Sequence, residues 1–321
     1  MKMKTRLSFF TSATALALLG GVAHAQNVSA PSFSYGKTEE KPPEGVEWKA
    51  QVKGGLIITS GNSQAQTESF AGSASRKEGM NKLALDAGGA YGRSNVRSFL
   101  NTNNDTVVDR GELTRVGITS TNNWFTKGRY DRFFTANNAA YLMGNIASDK
   151  VAGKKLTGGG QLGYSRQLIA TDAHLLLAEI GYDLSFESYV TVPPNAPGSV
   201  SVHSARVFVG EQWKVSQATG VFASAEALFN LNEEDALRST DNTGATKGVK
   251  AFKDTRLNGK AGITTTLWKN LAFGFSFACR YDNNPAPLAL PTGATAFAPG
   301  YVPFSRNLDT VTEASLILTL L

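Results

Sequence analysis

Cysteine is almost absent from this 321-residue chain, in which Cys279 stands alone. A single thiol cannot close an intrachain disulfide, and it excludes a catalytic cysteine pair or a cysteine-built metal cluster. Long apolar runs are missing too. Beyond residue 25 no stretch reaches the roughly 18 to 20 apolar residues an α-helix needs to cross a bilayer, so any membrane insertion has to be made by strands. Contiguous basic runs are lacking, because Lys and Arg are interspersed with Asp and Glu, and this excludes a nucleic-acid-binding surface.

What is present begins with an address. Lys2, Lys4 and Arg6 form a positive start, residues 7–19 an apolar core, and Ala23-His24-Ala25 a small-x-small cleavage site. Residues 1–25 therefore read as a signal peptide, with no cysteine beside the cleavage site to carry a lipid anchor. Its removal lowers Lys+Arg from 32 to 29 against 26 Asp+Glu, so the net charge drops from +6 to +3. Residues 26–45, with Pro31, Pro42 and Pro43, read as a periplasmic lead-in, and residues 46–321 as a β-barrel.

The barrel reading starts at VEWKAQVKGGLIITS, where Trp48, Ala50, Val52, Leu56 and Ile58 recur at every second position, the period of a strand with one oily face. A Gly61-Asn62 turn follows, suited to the positive backbone angles of a tight hairpin, and QAQTESFAGSASRK returns from it. The unit repeats. Twelve candidate strands lie at 46–59, 64–77, 81–93, 112–131, 138–148, 156–169, 173–190, 200–216, 219–232, 254–268, 270–283 and 305–321. Turns after the even-numbered strands are short, whereas long loops follow the third, seventh, ninth and eleventh, at 94–111, 191–199, 233–253 and 284–304. With a periplasmic N-terminus, all the long loops fall on the outer side. This predicts an all-β, transmembrane antiparallel barrel of about 12 strands in the outer membrane of a Gram-negative bacterium.

Parity along the strands divides the residues between two faces. Lys53, Asp86, Glu179, Asp183, Glu187, Arg256, Lys260, Arg280 and Asp282 are expected to line the lumen, together with Lys49, Lys82, Arg115, Glu226 and Glu313. Glu179, Asp183 and Glu187 form an acidic ladder up one strand. A basic wall of Arg256, Lys260 and Arg280 facing it would set a transverse field across a narrow pore, and close pairing of the two sets would plug it. Trp48, Trp213 and Trp268 fall at the periplasmic ends of their strands, Trp124 in the lower part of the fourth, and Tyr91, Tyr189 and Tyr281 at outer ends, as membrane-interface girdles. Glu211 and Arg166 sit on otherwise oily faces, which is tolerable where long side chains reach water.

With these residues in view, the chain resembles the salt-induced outer membrane protein family (YdiY-like, a domain of unknown function). The matching features are Trp48, the GGLIITSGNSQAQT hairpin, KGRYDRFF before TANNAAYLMG, LTGGGQLGYSRQL, AEIGYDLSFES, and RYDNNPAP ahead of the last strand. The resemblance implies an outer-membrane location and an even-stranded barrel, and brings no ligand or catalytic residues. Such barrels usually end on an aromatic residue read by the barrel-assembly machinery. This chain ends in Leu320-Leu321, with its oily face, Ala314, Leu316, Leu318 and Leu320, offset by one from the terminus.

Three motifs invite chemical readings. Residues 158–163 have the GxGxxG spacing, but a dinucleotide site needs a helix after it, and LGYSRQL continues as a strand. Asn101, Asn103, Asp105, Asp109 and Glu112 occupy positions of a calcium loop, although Thr106 replaces the turn glycine and no helices flank it. His203 lies beside Ser201 and Ser204 without a nucleophile motif, so a lipid hydrolase ranks third among functions. The first is a narrow polar-lumen channel for ions or small solutes, and the second a structural, osmotic-stress envelope protein with a salt-bridged closed lumen. Neither requires a cofactor, a metal or catalysis. The expected partners are outer-membrane lipid and the assembly machinery, with the barrel a monomer.

Protein extracted from the envelope is expected to begin at Gln26, and intact-mass measurement checks this directly. A chain still carrying residues 1–25 would sink the leader assignment.

Overall fold

A computed structural model gives the structure of this chain and describes residues 45–59, 64–99, 113–190, 198–233, 248–287 and 306–320. The expected signal peptide, the lead-in up to residue 44, the Gly61-Asn62 turn and the calcium-loop candidate (Asn101, Asn103, Asp105, Asp109, Glu112) lie outside them.

The described residues form twelve strands: β1 (Val46–Thr59), β2 (Gln64–Glu78), β3 (Asn81–Phe99), β4 (Leu113–Phe133), β5 (Asn138–Asp149), β6 (Lys154–Ala170), β7 (His174–Tyr189), β8 (Ser199–Lys214), β9 (Thr219–Asn230), β10 (Thr255–Trp268), β11 (Leu271–Asp282) and β12 (Leu308–Thr319). Each pairs antiparallel with its sequence neighbours, and β12 returns to β1, so the sheet closes on itself.

The barrel is inverted relative to a soluble fold. On β7, Ile180, Leu184 and Phe186 are 61, 43 and 40% exposed, while Glu179, Asp183 and Glu187 on the alternate positions are 1, 5 and 4% exposed. Water would not tolerate so wide an oily exterior around buried carboxylates; hydrocarbon outside the barrel accounts for both faces at once. The outer-membrane barrel is thus read directly from its surface.

One end of the barrel carries only short turns, built by a repeated device. Thr135, Thr171 and Ser216 each accept, on the side-chain oxygen, the backbone N–H three residues ahead, from Asn138, His174 and Thr219. Such hydroxyl-capped turns reverse the chain in few residues and leave no donor orphaned at the membrane edge. Gly79 supplies the left-handed angle (φ 52°) that its turn needs.

The chief departure from the predicted strands is the β3–β4 hairpin. Pairing runs to Phe99↔Leu113, six residues past the expected end of the third strand. Beyond the membrane, backbone bonding alone can extend a hairpin, so no apolar period marks it in the sequence. The register shifts opposite Gly92 and Arg93, where β4 passes from Thr121 to Thr119. Such a bulge exchanges the two faces of the strand above it. Arg115, expected inside, lies above that bulge and is exposed, as are Val116 and Gly117 beside it.

On β12, Leu316, Leu318 and Leu320 are 52, 42 and 53% exposed, so the oily face offset by one from the terminus is the lipid-facing one. Cys279 lies on the same outer face of β11 as Phe277 and Tyr281, and is half-buried. In intact membranes a charged thiol reagent is expected to leave Cys279 unlabelled while detergent-denatured protein reacts fully. Rapid labelling in membranes would overturn the register of β11.

Candidate functional site

The candidate site is the inner face of the barrel, where every second residue of each strand projects. Its centre is a chain of buried charges running across the lumen. From β4, Arg129 donates to Asp131 on its own strand (2.6 Å) and to Glu179 on β7 (2.7 Å). From β8, Arg206 donates to Glu179 (2.7 Å), to the Tyr141 hydroxyl (2.9 Å) and to Glu226 on β9 (2.6 Å). Asn258 on β10 donates to the other oxygen of Glu226 (2.9 Å). Acid and base alternate along the whole line, so each charge faces an opposite one. The Arg206 and Glu179 side chains are both 0% exposed.

The Tyr141 ring forms the floor of this array. The Arg129 guanidinium lies 4.3 Å from its centroid and that of Arg206 5.7 Å, both within cation–π range. The phenol fits because two neighbours have no side chain. A Cβ at Gly163 or Gly181 would meet the Tyr141 hydroxyl within 2.7 Å. The glycines at 158–163 are therefore strand residues beside a buried ring, and no helix follows them to cradle phosphate.

A second layer sits nearer the loop end. Glu187 accepts from Arg256 (2.8 Å), from Lys154 (3.3 Å) and from the Tyr189 hydroxyl (3.2 Å), and Arg256 also donates to Asp254 (3.2 Å). Asp282 lies 3.9 Å from Lys154. Above it, Ala286 packs with Tyr189, Val200 and Val202 in a small buried apolar cap.

The wall formed by β12, β1, β2 and β3 is different. Lys53 pairs with Glu313 (2.5 Å) and Lys127 with Asp86 (3.3 Å), but Lys53 and Glu313 are 27 and 28% exposed. Asp183 accepts from Gln161 (2.7 Å), the Lys260 ammonium lies 6.0 Å from the Phe222 centroid, and Arg280 donates to Asn258 (3.4 Å). At the short-turn end a cleft of about 580 Å³ is lined by Leu175, Gln212, Phe222, Thr264 and the adjoining turns.

Expectation and structure meet unevenly. The acidic ladder is inside, but the cations bonded to Glu179 come from β4 and β8, whereas Arg256, from the proposed wall of Arg256, Lys260 and Arg280, bonds the ladder at Glu187. Arg129, Asp131, Arg206, Lys154, Tyr141 and Asp254 escaped the sequence reading. Alternation in KGRYDRF and ARVFV was the available signal. Tyr189 is 3% exposed and bonds Glu187, so it belongs to the interior and not to the outer girdle, because it shares parity with Glu187. Trp124 is outward and 43% exposed, but it pairs with Ser148 near the loop end of β5, so its interface is the outer one; β4 runs on to Phe133 beneath it. Trp48, Trp213 and Trp268 are exposed at short-turn ends, Tyr281 at a loop end, and Tyr91 midway along the extended β3.

His203 bonds the Tyr182 hydroxyl on the outer face, whereas Ser204 is 3% exposed on the inner one, so that serine cannot meet that histidine. Among the described residues no group of His, Cys, Asp and Glu has the arrangement of a metal site.

A family model described as "Protein of unknown function, DUF481" matches residues 52–295. No curated protein matches. Among solved structures, the chain is similar to OmpT, an outer membrane protein of Vibrio cholerae, at 9% identity and a TM-score of 0.36, covering 86% of this chain and 97% of that one. The outer membrane channel DcaP of Acinetobacter baumannii gives 10% identity and a TM-score of 0.31, covering 86 and 97%. The transport unit of the autotransporter AIDA-I from Escherichia coli gives 11% and 0.36, covering 92 and 95%.

Replacing Arg206 by Met leaves Glu179 and Glu226 facing each other across a dry interior, and the expected loss is about 3–5 kcal/mol, the cost of breaking a buried ion pair from one side. The urea midpoint of unfolding in detergent reads it. Adding E179Q to R206M is expected to restore part of the loss, and an unchanged midpoint for R206M would show that the charge array contributes nothing.

Proposed function

The chain belongs to the DUF481 family of proteins of unknown function, and on that premise we propose that it is an outer-membrane barrel passing ions or small solutes through a narrow, off-axis polar path. The observation carrying this reading is the contrast between the two sides of the lumen. The Arg206–Glu179 pair is 0% exposed, while Lys53 and Glu313 are 27 and 28% exposed, and Lys49 and Glu47 near the short-turn mouth 44 and 40%. Water reaches the Lys53–Glu313 pair and the Lys49–Glu47 mouth below it, and is excluded from the Arg129–Glu179–Arg206 array on the opposite side.

Fixed charges of both signs along that wall can replace part of the hydration shell of a passing ion, whichever its sign. The buried array opposite them narrows the bore, and its alternating charges satisfy one another without a counter-ion that would have to be displaced. The expected product is a small conductance with weak selectivity.

A second reading keeps the barrel closed, as an envelope protein of the salt-induced, osmotic-stress kind. It is favoured by the full burial of the central array and by Ala286 packing over Val200 and Val202 at the loop end.

Planar-bilayer recording separates the two. Channel function predicts discrete small currents whose reversal potential moves toward cations in K53Q and toward anions in E313Q, with E179Q affecting stability more than selectivity. Silence at both low and high salt would sink the channel reading and leave the closed barrel.

A further inference from the structure

The closing seam of the barrel is incomplete. β1 and β2 pair along the whole of β1, from Val46↔Glu78 to Thr59↔Ala65, whereas β1 and β12 pair in register from Gln51↔Thr319 to Gly54↔Leu316, with one further bond below from the Leu320 N–H to the Ala50 carbonyl (2.9 Å). Above that point residues 55–59 of β1 remain bonded to β2, and residues 310–315 of β12 to β11. Among the described residues, the two edges have no registered pairing with each other there.

This gap lies at membrane depth. Leu316, Ala314 and Thr312 stand opposite Phe273, Phe275 and Phe277, which are 39, 45 and 46% exposed on the lipid-facing surface. Leu56 on the other edge is 59% exposed. An open sheet edge in hydrocarbon leaves backbone groups without partners and is tolerated only where water or protein reaches them. The inner side of this edge borders the accessible part of the lumen: Lys53 and Glu313, which bond across the seam from that side, are over a quarter exposed.

We propose that the upper seam between β1 and β12 is a lateral portal that admits a single-chain amphiphile with an anionic head, its alkyl tail in the outer leaflet and its head against Lys53. The chemistry of the two sides matches such a molecule, with Leu56, Leu308 and Leu316 outside and, inside, the Lys53 ammonium, whose partner Glu313 is over a quarter exposed and gives way to the incoming anionic head. A β-strand from another chain is the competing occupant of any open edge. The base of the gap is too narrow for it: a Cβ on Gly55 would lie 3.6 Å from the Ala314 carbonyl oxygen, so the opening is a wedge held shut below by the ion pair. A strand would need about 4.8 Å to each neighbour along its whole length.

The test uses full-length protein carrying Cys279→Ser. The pair Val52→Cys with Leu318→Cys sits in the closed part of the seam, and Leu56→Cys with Ala314→Cys in the open part. Oxidation is expected to join the first pair readily and the second poorly, while a longer bis-maleimide joins both. Equal and rapid disulfide formation in both would overturn the opening. In vesicles containing a diazirine-bearing fatty acid, photolabelling is expected on peptides holding residues 52–56 and 308–316. It should fall roughly tenfold, equivalent to about 1.4 kcal/mol, once the second pair is bridged. K53Q is expected to lower it with the barrel still heat-modifiable on gels. Labelling spread evenly around the belt and indifferent to bridging would overturn the portal. Recovery of a protein strand crosslinked in cells to the Ala314→Cys variant through its new thiol would overturn the assigned occupant. None of these readouts depends on ionic current, so the portal stands or falls apart from the channel.

Discussion

A strand that crosses hydrocarbon must find a partner for every backbone N–H and C=O, and the whole architecture follows from that demand. A sheet satisfies it only by closing. Closure divides the side chains into those that meet lipid and those that meet each other, and the charged half has nowhere to go but inward. The exposed Ile180 and the buried Glu179, adjacent in the chain, are two consequences of one constraint.

Once inside, the charges face a second demand, since a desolvated carboxylate is tolerable only beside a cation and with its oxygens hydrogen-bonded. The Arg129–Glu179–Arg206–Glu226 line meets this by joining the adjacent strands β7, β8 and β9 and by reaching from β4 to β7, which are not neighbours in the sheet. Its geometry rests on omissions as much as on contacts. Gly163 and Gly181 make the space in which Tyr141 lies flat beneath two guanidinium groups. The result is a lumen filled on one side and wet on the other, with bore and polarity set by where the matched charges stop.

The wet wall and the short seam are the same region of the molecule. Lys53 lies on β1 at its last stretch of pairing with β12, and Glu313 on β12 just past it. Registered strand pairing stops there, and a side-chain ion pair, over a quarter exposed, links the two edges. Axial passage of small ions and lateral entry of an amphiphile would share this wall, which concentrates the chemistry of the barrel on a few residues of its first and last strands.

Much of this was legible in the chain. Period-two alternation from Trp48 onward, hydroxyl- and glycine-bearing turns, and the grouping of long loops on one side determined twelve antiparallel strands, their faces and the inward position of Glu179, Asp183 and Glu187. All of these are local properties, written within a strand or a turn. Tyr189 shares parity with Glu187 and lies inside, and Arg115 stands above a bulge that no local period announces. The partners of the charges were beyond reach for a deeper reason. Which base meets Glu179 depends on how twelve strands curl and which side chains are small enough to let distant ones cross the lumen, and neither is encoded in any one segment. The incomplete pairing of β1 with β12 is likewise a property of closure, decided only when the two ends of the sheet meet.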